Sequence, residues 1–244
     1  MSRILITGST DGLGRASAVA LLEGGHQIIV HARTRERAGA VSELTDRGAG
    51  LIIANLADRQ AVLDAAGKLN EGPTIDAVIH NAGVISGSSI LPVNVIAPYL
   101  FTALLRTPTR HVYVSSSMHR GGRANLDGLD WSGVRATASY SDSKLFVAAL
   151  SAAVADRLAP AILANAVDPG WVATKMGGAG APDDFDLGHL TQERLATDTA
   201  LLESGGYWYH GELQRPLAAV NDFAFQSRLL SALQTATAVA LPST

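Results

Sequence analysis

The chain has 244 residues, 47% of them hydrophobic and 17% charged, with no cysteine and a formal net charge of −3 at pH 7. That is enough material for one large core or two small ones, and the lack of cysteine excludes disulfides, thiolate nucleophiles and zinc sites built on cysteine; no metal site is expected. Slight acidity without a long basic run argues against nucleic acid as a partner, because such binding rests on phosphate neutralisation by Lys and Arg, and favours a small molecule.

Met1 and Ser2 lead directly into a strand-like run, leaving no room for a signal segment, so the expected location is the cytoplasm. Aliphatic runs at 4–7, 28–31, 51–54, 75–80, 112–115 and 162–167 are predicted strands. Helices are predicted between them at 16–23, closed by Gly24 and Gly25, and at 35–47, opened by Thr34 as N-cap and followed by Gly48. Alternation of near-continuous apolar strands with helices predicts a parallel sheet covered on both faces, a doubly wound α/β fold of Rossmann type. No linker, repeat or composition shift divides the chain, so a single domain over 1–244 is expected.

The first strand runs into Thr7-Gly8-Ser9-Thr10-Asp11-Gly12-Leu13-Gly14 and then a helix. A turn poor in Cβ atoms at a helix N-terminus brings unpaired N–H donors and a partial positive charge to one place, which suits a pyrophosphate. After the second strand comes His31-Ala32-Arg33-Thr34. That is where an NAD-binding chain offers an acid to the ribose hydroxyls and an NADP-binding chain offers a cation. Arg33 can grip a 2′-phosphate bidentately, so NADP(H) is preferred over NAD(H), with Arg15 or Arg35 as further cations that could share the phosphate.

The fifth strand ends in Val114-Ser115-Ser116-Ser117, hydroxyls at the carboxyl edge of a parallel sheet, where open α/β folds bind ligands. Tyr140 and Lys144 stand four apart at the start of a long helix, which places phenol and ammonium on one face. A nearby cation would move the phenol from its ordinary pKa of about 10 toward 7. The stretch from residue 145 to 167 is the most apolar, but Asp156, Arg157 and Pro160 interrupt it, where a membrane span needs about 20 nearly uncharged residues. It reads as a buried helix and a strand, and no membrane partner is expected. The apolar girth of that helix leaves a homo-oligomer open. The Gly-rich acidic stretch 177–188 is expected to be a mobile surface loop, within a substrate loop near 175–190.

The pattern Thr-Gly-x-x-x-Gly-x-Gly, the Val-Ser-Ser strand end and the Tyr-x-x-x-Lys pair together resemble the short-chain dehydrogenase/reductase family over nearly the whole chain. Further matches are Asn81-Ala82-Gly83 after the fourth strand, Asn94 in a helix, and Asp168-Pro169-Gly170-Trp171-Val172-Ala173-Thr174 after the sixth. The separation of Ser116 from Tyr140 is similar to that in the retinol dehydrogenase and protochlorophyllide reductase subgroup. The resemblance implies an NADP(H)-dependent oxidoreductase acting on a small carbonyl or alcohol substrate. Ser116 would polarise the substrate oxygen, with Ser115 and Ser117 as alternatives. Tyr140 would be the general acid/base, tuned by Lys144, and Asn94 would hold a water that reloads the proton.

It also implies cofactor contacts at residues 7–14 of the glycine turn, at Arg33, Asn55, Leu56, Asn81, Ala82, Gly83, Tyr140 and Lys144, and at Pro169, Gly170, Val172 and Thr174. Residues 119–139 are expected to border the substrate pocket, with Trp171 and either Trp208 or Tyr209 contributing apolar surface. One departure is that Asn94 follows Gly83 by only 11 positions, so the water relay and the family's usual dimer face do not carry over automatically. Two alternatives share these motifs: a non-catalytic NADP-binding regulatory protein and a nucleotide-sugar epimerase or dehydratase.

Overall fold

The computed structural model describes residues 1–242. In chain order the elements are β1 (Arg3–Ile6), α1 (Gly12–Glu23), β2 (Gln27–Ala32), α2 (Arg35–Ala38), α3 (Ser42–Asp46), β3 (Gly50–Ile53), α4 (Arg59–Glu71), β4 (Ala77–His80), α5 (Ala97–Leu104), β5 (Arg110–Val114), α6 (Tyr140–Leu158), β6 (Leu163–Asp168), α7 (Phe185–Thr197), β7 (Tyr207–Tyr209), β8 (Glu212–Gln214) and α8 (Phe223–Thr237). The sheet runs β3-β2-β1-β4-β5-β6-β7-β8. Every pairing is parallel except the β7–β8 hairpin, an edge strand that the apolar pattern does not announce because Glu212, Leu213 and Gln214 are all exposed. Strand order reverses between β1 and β4, which opens the crevice where doubly wound sheets bind ligands.

Both faces of the sheet are covered, so successive strand residues alternate between two apolar layers and no polar face survives. Leu5, Ile29, Val78 and Tyr113 point into the layer under α4, α5, α6 and α8. Ile4, Ile6, Ile28, Val30, Ile79 and Val112 point into the layer under α1 and α7. Fifteen of the 19 residues of α6 are buried, and the chain itself does the burying. The sheet covers one side; on the other, Phe146 meets Phe225 of α8 at 5.9 Å and Trp131 at 6.0 Å between ring centroids. The end of α8 is tied down where Tyr99 donates to the Val239 carbonyl at 2.6 Å and Arg59 donates to the Thr237 carbonyl. The apolar girth of α6 is therefore used up within one chain and carries no argument for a homo-oligomer. No helix among the described residues is long and apolar enough to cross a membrane.

Three local expectations are corrected. The helix expected over 35–47 is two short helices joined by a tight turn at Gly39–Val41. Thr34 caps it as expected, accepting from Arg37 N at 3.3 Å, but Gly39 weakens the run and Val41 leaves helical geometry to bury itself completely. The stretch 177–188 is only partly loop: α7 begins at Phe185, and Gly188 lies inside it, where a Cβ would stand 2.9 Å from Val172 Cγ1. The insertion 119–139 packs Ala124, Leu126, Leu129, Trp131 and Ala138 onto the core and does not border the central cavity.

One buried polar pair sets the acid limit of the fold. His80 and His111, on neighbouring strands, share one hydrogen bond of 3.0 Å, and their other ring nitrogens have no partner. Burial pushes His111 down to about 3 and His80 well below its ordinary value. A folded-state pKa below the unfolded one means that the unfolded chain binds more protons, so stability falls from about pH 6.5 downward. Linkage then gives a loss of about 2 kcal/mol from His111 between pH 7 and pH 5, with His80 acting in the same direction. Urea unfolding of the wild type and of a His80→Leu/His111→Leu variant at both pH values should show the variant losing less by at least that amount; parallel losses would contradict this.

Candidate functional site

A cavity of about 700 Å³ opens along the carboxyl ends of β1, β2, β4, β5 and β6. Its floor begins with the turn after β1, where Gly8 (φ +67°) and Gly12 (φ +53°) adopt backbone conformations that favour glycine. A Cβ on Gly8 would stand 2.8 Å from the Cα of Ala82, and one on Gly14 would stand 2.6 Å from the Gly8 carbonyl and collide with the Asn81 amide. These contacts close because Asn81 Nδ2 donates to the carbonyls of Thr7 and Gly8 at 3.0 and 3.1 Å, and Ala82 N donates to Thr7 Oγ1 at 3.1 Å.

Gly8, Thr10, Asp11, Gly12 and Leu13 face the cavity. Thr7 and Ser9, expected among the cofactor contacts, do not line the cavity: Thr7 is turned toward β4, while Ser9 Oγ donates to Ile6 O at 2.9 Å and accepts from His31 N at 2.7 Å. Gly14 lies behind the turn, packed on Asn81.

His31, quoted in the sequence only as a neighbour of Arg33, is the hub of this corner. Its Nδ1 accepts from Gly8 N at 2.9 Å and its Nε2 lies 2.9 Å from the Ala54 carbonyl, so one buried ring ties the ends of β1, β2 and β3. Accepting a backbone N–H at Nδ1 puts the ring proton on Nε2. Burial lowers its pKa and keeps it neutral. Arg33 lines the cavity as expected, exposed and with no ion pair among the described residues. The further cations there are Arg37 and Lys175, not Arg15 or Arg35. Arg37 reaches Asp11 at 2.6 Å and Thr10 at 3.1 Å, whereas Arg15 is paired with Glu43 away from the cavity. Asn55 and Leu56 also line this end, with Asn55 Oδ1 capping Ala57 N at 3.2 Å.

At the other end Ser116, Tyr140 and Lys144 meet. A capping box fixes the start of α6: Ser139 Oγ accepts from Asp142 N at 3.0 Å and Asp142 Oδ2 accepts from Ser139 N at 2.9 Å. One turn on, the Lys144 ammonium stands 5.4 Å from the centre of the Tyr140 ring. Ser115 Oγ is spent on the Lys144 carbonyl at 2.9 Å; Ser116 Oγ accepts from Met118 N at 3.2 Å and favours the charged form of the Tyr140 phenol, whose hydroxyl donates to Met176 Sδ at 3.9 Å.

The expected depression of the phenol pKa is not found. Burial, helped by the Asp168 carboxylate, outweighs the Ser116 hydroxyl and pushes Tyr140 up to about 12. Lys144, 4% exposed, spends its ammonium on the Val114 carbonyl at 2.7 Å, and burial brings it down to about 8. Asp168, itself raised by burial, is the carboxylate that favours the charged lysine. It was visible in the sequence only as the residue before Pro169-Gly170.

Asn94 does not reach the cavity. It sits in a π-helical turn (Pro92–Ile96), where Oδ1 accepts from Val84 N at 2.9 Å and both amide protons are committed, to Val84 O at 3.0 Å and Ser143 Oγ at 2.9 Å. The side chain therefore has no donor left for a water file; it braces Val84 beside Gly83 and the serine next to Lys144.

Asn81, Ala82, Gly83, Pro169, Gly170, Val172 and Thr174 do line the cavity. So do Val84, Ile85, Met118, Trp171 and Met176, which make one wall apolar. Trp208 is a core residue and Tyr209 lies outside the cavity, because β7 directs them away from it. The segment after β6 is knitted together: Trp171 Nε1 donates to Gly177 O at 2.8 Å and Trp171 N to Asp183 Oδ2 at 2.6 Å, while Lys175 reaches back to Asp11 at 3.0 Å. Among the described residues no group of three or more His, Asp or Glu could hold a metal ion.

A family model described as short chain dehydrogenase matches residues 2–101. Short-chain dehydrogenase chry4 of Gibberella zeae is 35% identical, the match covering 100% of each chain. A crystal structure of a protein from Mycobacterium paratuberculosis superposes with a TM-score of 0.83 at 25% identity, over 99% of this chain and 95% of that one. A short chain dehydrogenase from Shigella flexneri, solved in complex with NADP, superposes with a TM-score of 0.70 at 22% identity, over 86% and 97%, a likeness of fold alone. With a crevice at the strand-order reversal, a glycine turn closed on β4 and a full-length relative at this identity, the chain belongs to the short-chain dehydrogenase family of oxidoreductases.

Proposed function

We propose that the protein is an NADPH-dependent reductase of an uncharged, partly apolar ketone or aldehyde, working through Ser116, Tyr140 and Lys144. The observation that carries this reading is that one cavity joins two things: a phosphate-shaped end with two guanidinium groups, and an end where a phenol, a hydroxyl and an ammonium converge. The fit to a dinucleotide rests on how closely the turn approaches the end of β4, since a Cβ at Gly8 or Gly14 would clash with Ala82 or Asn81 and force the turn open. The Shigella flexneri enzyme that shares the fold was solved with NADP, which supports the choice of group.

In this reading the turn from Gly8 to Leu13 holds the pyrophosphate, Arg33 and Arg37 hold the 2′-phosphate, and Asn55 and Leu56 flank the adenine. Asn81, Ala82 and Gly83 line the middle of the cleft, Tyr140 and Lys144 grip the nicotinamide ribose, and Pro169, Gly170, Val172 and Thr174 face the nicotinamide amide. When bound, the reduced nicotinamide supplies a hydride to the carbonyl carbon.

The chain supplies geometry and a proton. Ser116 Oγ–H and the Tyr140 O–H both donate to the substrate oxygen, so negative charge developing there is met by two donors. A phenol at about 12 is still an acid matched to an alkoxide, and Tyr140 transfers its proton as the carbon–hydrogen bond forms. The phenolate left behind is stabilised by Lys144 and Ser116 until solvent returns the proton. Thr7, Ser9, Gly14 and Asn94 act by holding the frame, the last by bracing Val84 and Ser143. The wall of Val84, Ile85, Met118, Trp171 and Met176 carries no charge, which selects an uncharged substrate.

Titration of nucleotide fluorescence should show NADPH bound more tightly than NADH. Arg33→Glu should weaken NADPH by about tenfold or more, because it replaces a charge-assisted hydrogen bond to the 2′-phosphate with a like-charge repulsion, and leave NADH nearly unchanged; equal weakening of both would remove Arg33 from the 2′-phosphate. Tyr140→Phe should bind NADPH within about twofold of the wild type while single-turnover oxidation against a panel of neutral ketones falls by about a thousandfold, within the range one proton-transfer group contributes. The reduction rate should be flat at neutral pH and fall above about pH 8, where Lys144 loses its charge. Lys144→Arg should be slower but flat, and an unchanged descending limb in that variant would assign the titration elsewhere.

A further inference from the structure

Behind Ser116, outside the cavity, lies a buried polar cluster that the mechanism does not use. Ser116 caps a short 3₁₀ turn (Ser117–Gly121), and His119 in that turn is 0% exposed. Its Nδ1 is 2.7 Å from the Ser116 carbonyl oxygen, and the Tyr207 hydroxyl, reaching over from β7, is 2.9 Å from the same oxygen. Tyr207 and His119 also touch each other, hydroxyl to Nδ1 at 3.0 Å, with ring centroids 4.5 Å apart. On the far side His119 Nε2 lies 3.0 Å from the backbone N–H of Leu217.

A backbone N–H can only donate, so Nε2 accepts and the ring proton sits on Nδ1, aimed at the Ser116 carbonyl. The backbone N–H of His119 donates to that oxygen as well, at 3.0 Å. Three donors thus converge on a carbonyl with two lone pairs, which fixes the plane of the peptide that follows Ser116. The imidazole is held neutral by burial and by the charge of Arg120, consistent with this tautomer. Arg120 itself donates to the Arg215 carbonyl at 2.6 Å, so the strand-to-helix link at 215–217 is fastened to the serine turn at two points. A Leu or Phe would fill the same volume without the cost of burying two polar rings; what imidazole and phenol add is a pair of donors on one carbonyl.

We infer that His119 and Tyr207 are positioning residues that lock Ser116 in the orientation its hydroxyl needs to hold the substrate oxygen, an inference that rests on the reductase reading. Neither residue lines the cavity, so their effect falls on turnover and not on nucleotide binding. The test compares four variants with the wild type on the neutral ketone it reduces fastest, measuring kcat, KM, the NADPH Kd and melting temperature. His119→Asn keeps an amide donor near the Nδ1 position and should hold kcat within about threefold. His119→Gln keeps an acceptor for Leu217 but removes the donor to Ser116, and kcat should fall about tenfold or more, as should kcat of Tyr207→Phe, both with NADPH Kd within about twofold. Ser116→Ala marks the floor. Wild-type kcat in His119→Gln and Tyr207→Phe, with Ser116→Ala inactive, would overturn the clamp and leave the reductase reading standing. Equal loss in His119→Asn and His119→Gln, tracking melting temperature, would also overturn it and make the cluster merely structural. Wild-type kcat in Ser116→Ala would sink the reading of the site itself.

Discussion

The structure depends on how closely the turn after β1 approaches the end of β4. With no side chain at Gly8 or Gly14, Asn81 and Ala82 come within hydrogen-bonding reach of Thr7 and Gly8, and the two strand ends are stitched by backbone and amide contacts. That stitching lies at the reversal of strand order, so it forms the floor of the crevice. His31 extends the same frame to β2 and β3, and Asn94 extends it through Val84 toward α6. The two ends of the cavity therefore have fixed places on one bonded scaffold.

Electrostatics follow from how dry the far end is. Lys144 and Asp168 are both nearly inaccessible, and each moves toward its uncharged form, while the Asp168 carboxylate partly holds Lys144 charged. Tyr140 is raised because a phenolate in that setting faces burial and a carboxylate, with a single hydroxyl in its favour. Geometry at the serine turn matters correspondingly more, since the Ser116 hydroxyl is the neighbour that acts in favour of the charged phenol.

Much of this was legible in the sequence, and the reasons are specific. Strands buried on both faces read as unbroken apolar runs, which is why β1 to β6 fell within about two residues of the expected runs. Gly8, Gly12 and Gly14 announced a turn, and the four-residue spacing of Tyr140 and Lys144 fixed a shared helix face. Side-chain direction was not legible: in one turn Thr10 and Asp11 face the cavity while Thr7 and Ser9 bond inward. Composition could not reveal that residues 119–139 pack on α6, since Trp131 suits a core and a substrate pocket equally. Nor could it reveal Arg37, which reaches Thr10 and Asp11 of the glycine turn from the short helix α2. His31, His119 and Asp168 carry much of the bracing and charge, yet a lone His or Asp at a strand end has no sequence signature.

The most direct test of the central claim is a calorimetric titration of Gly14→Ala with NADPH beside the wild type, with near-ultraviolet circular dichroism to verify that both are folded. The added methyl group would sit 2.6 Å from the Gly8 carbonyl and against Asn81, so the stitched turn must open. The account predicts a folded variant whose NADPH affinity drops by about a hundredfold, on the order of 3 kcal/mol. A folded variant that binds NADPH as the wild type does would contradict it.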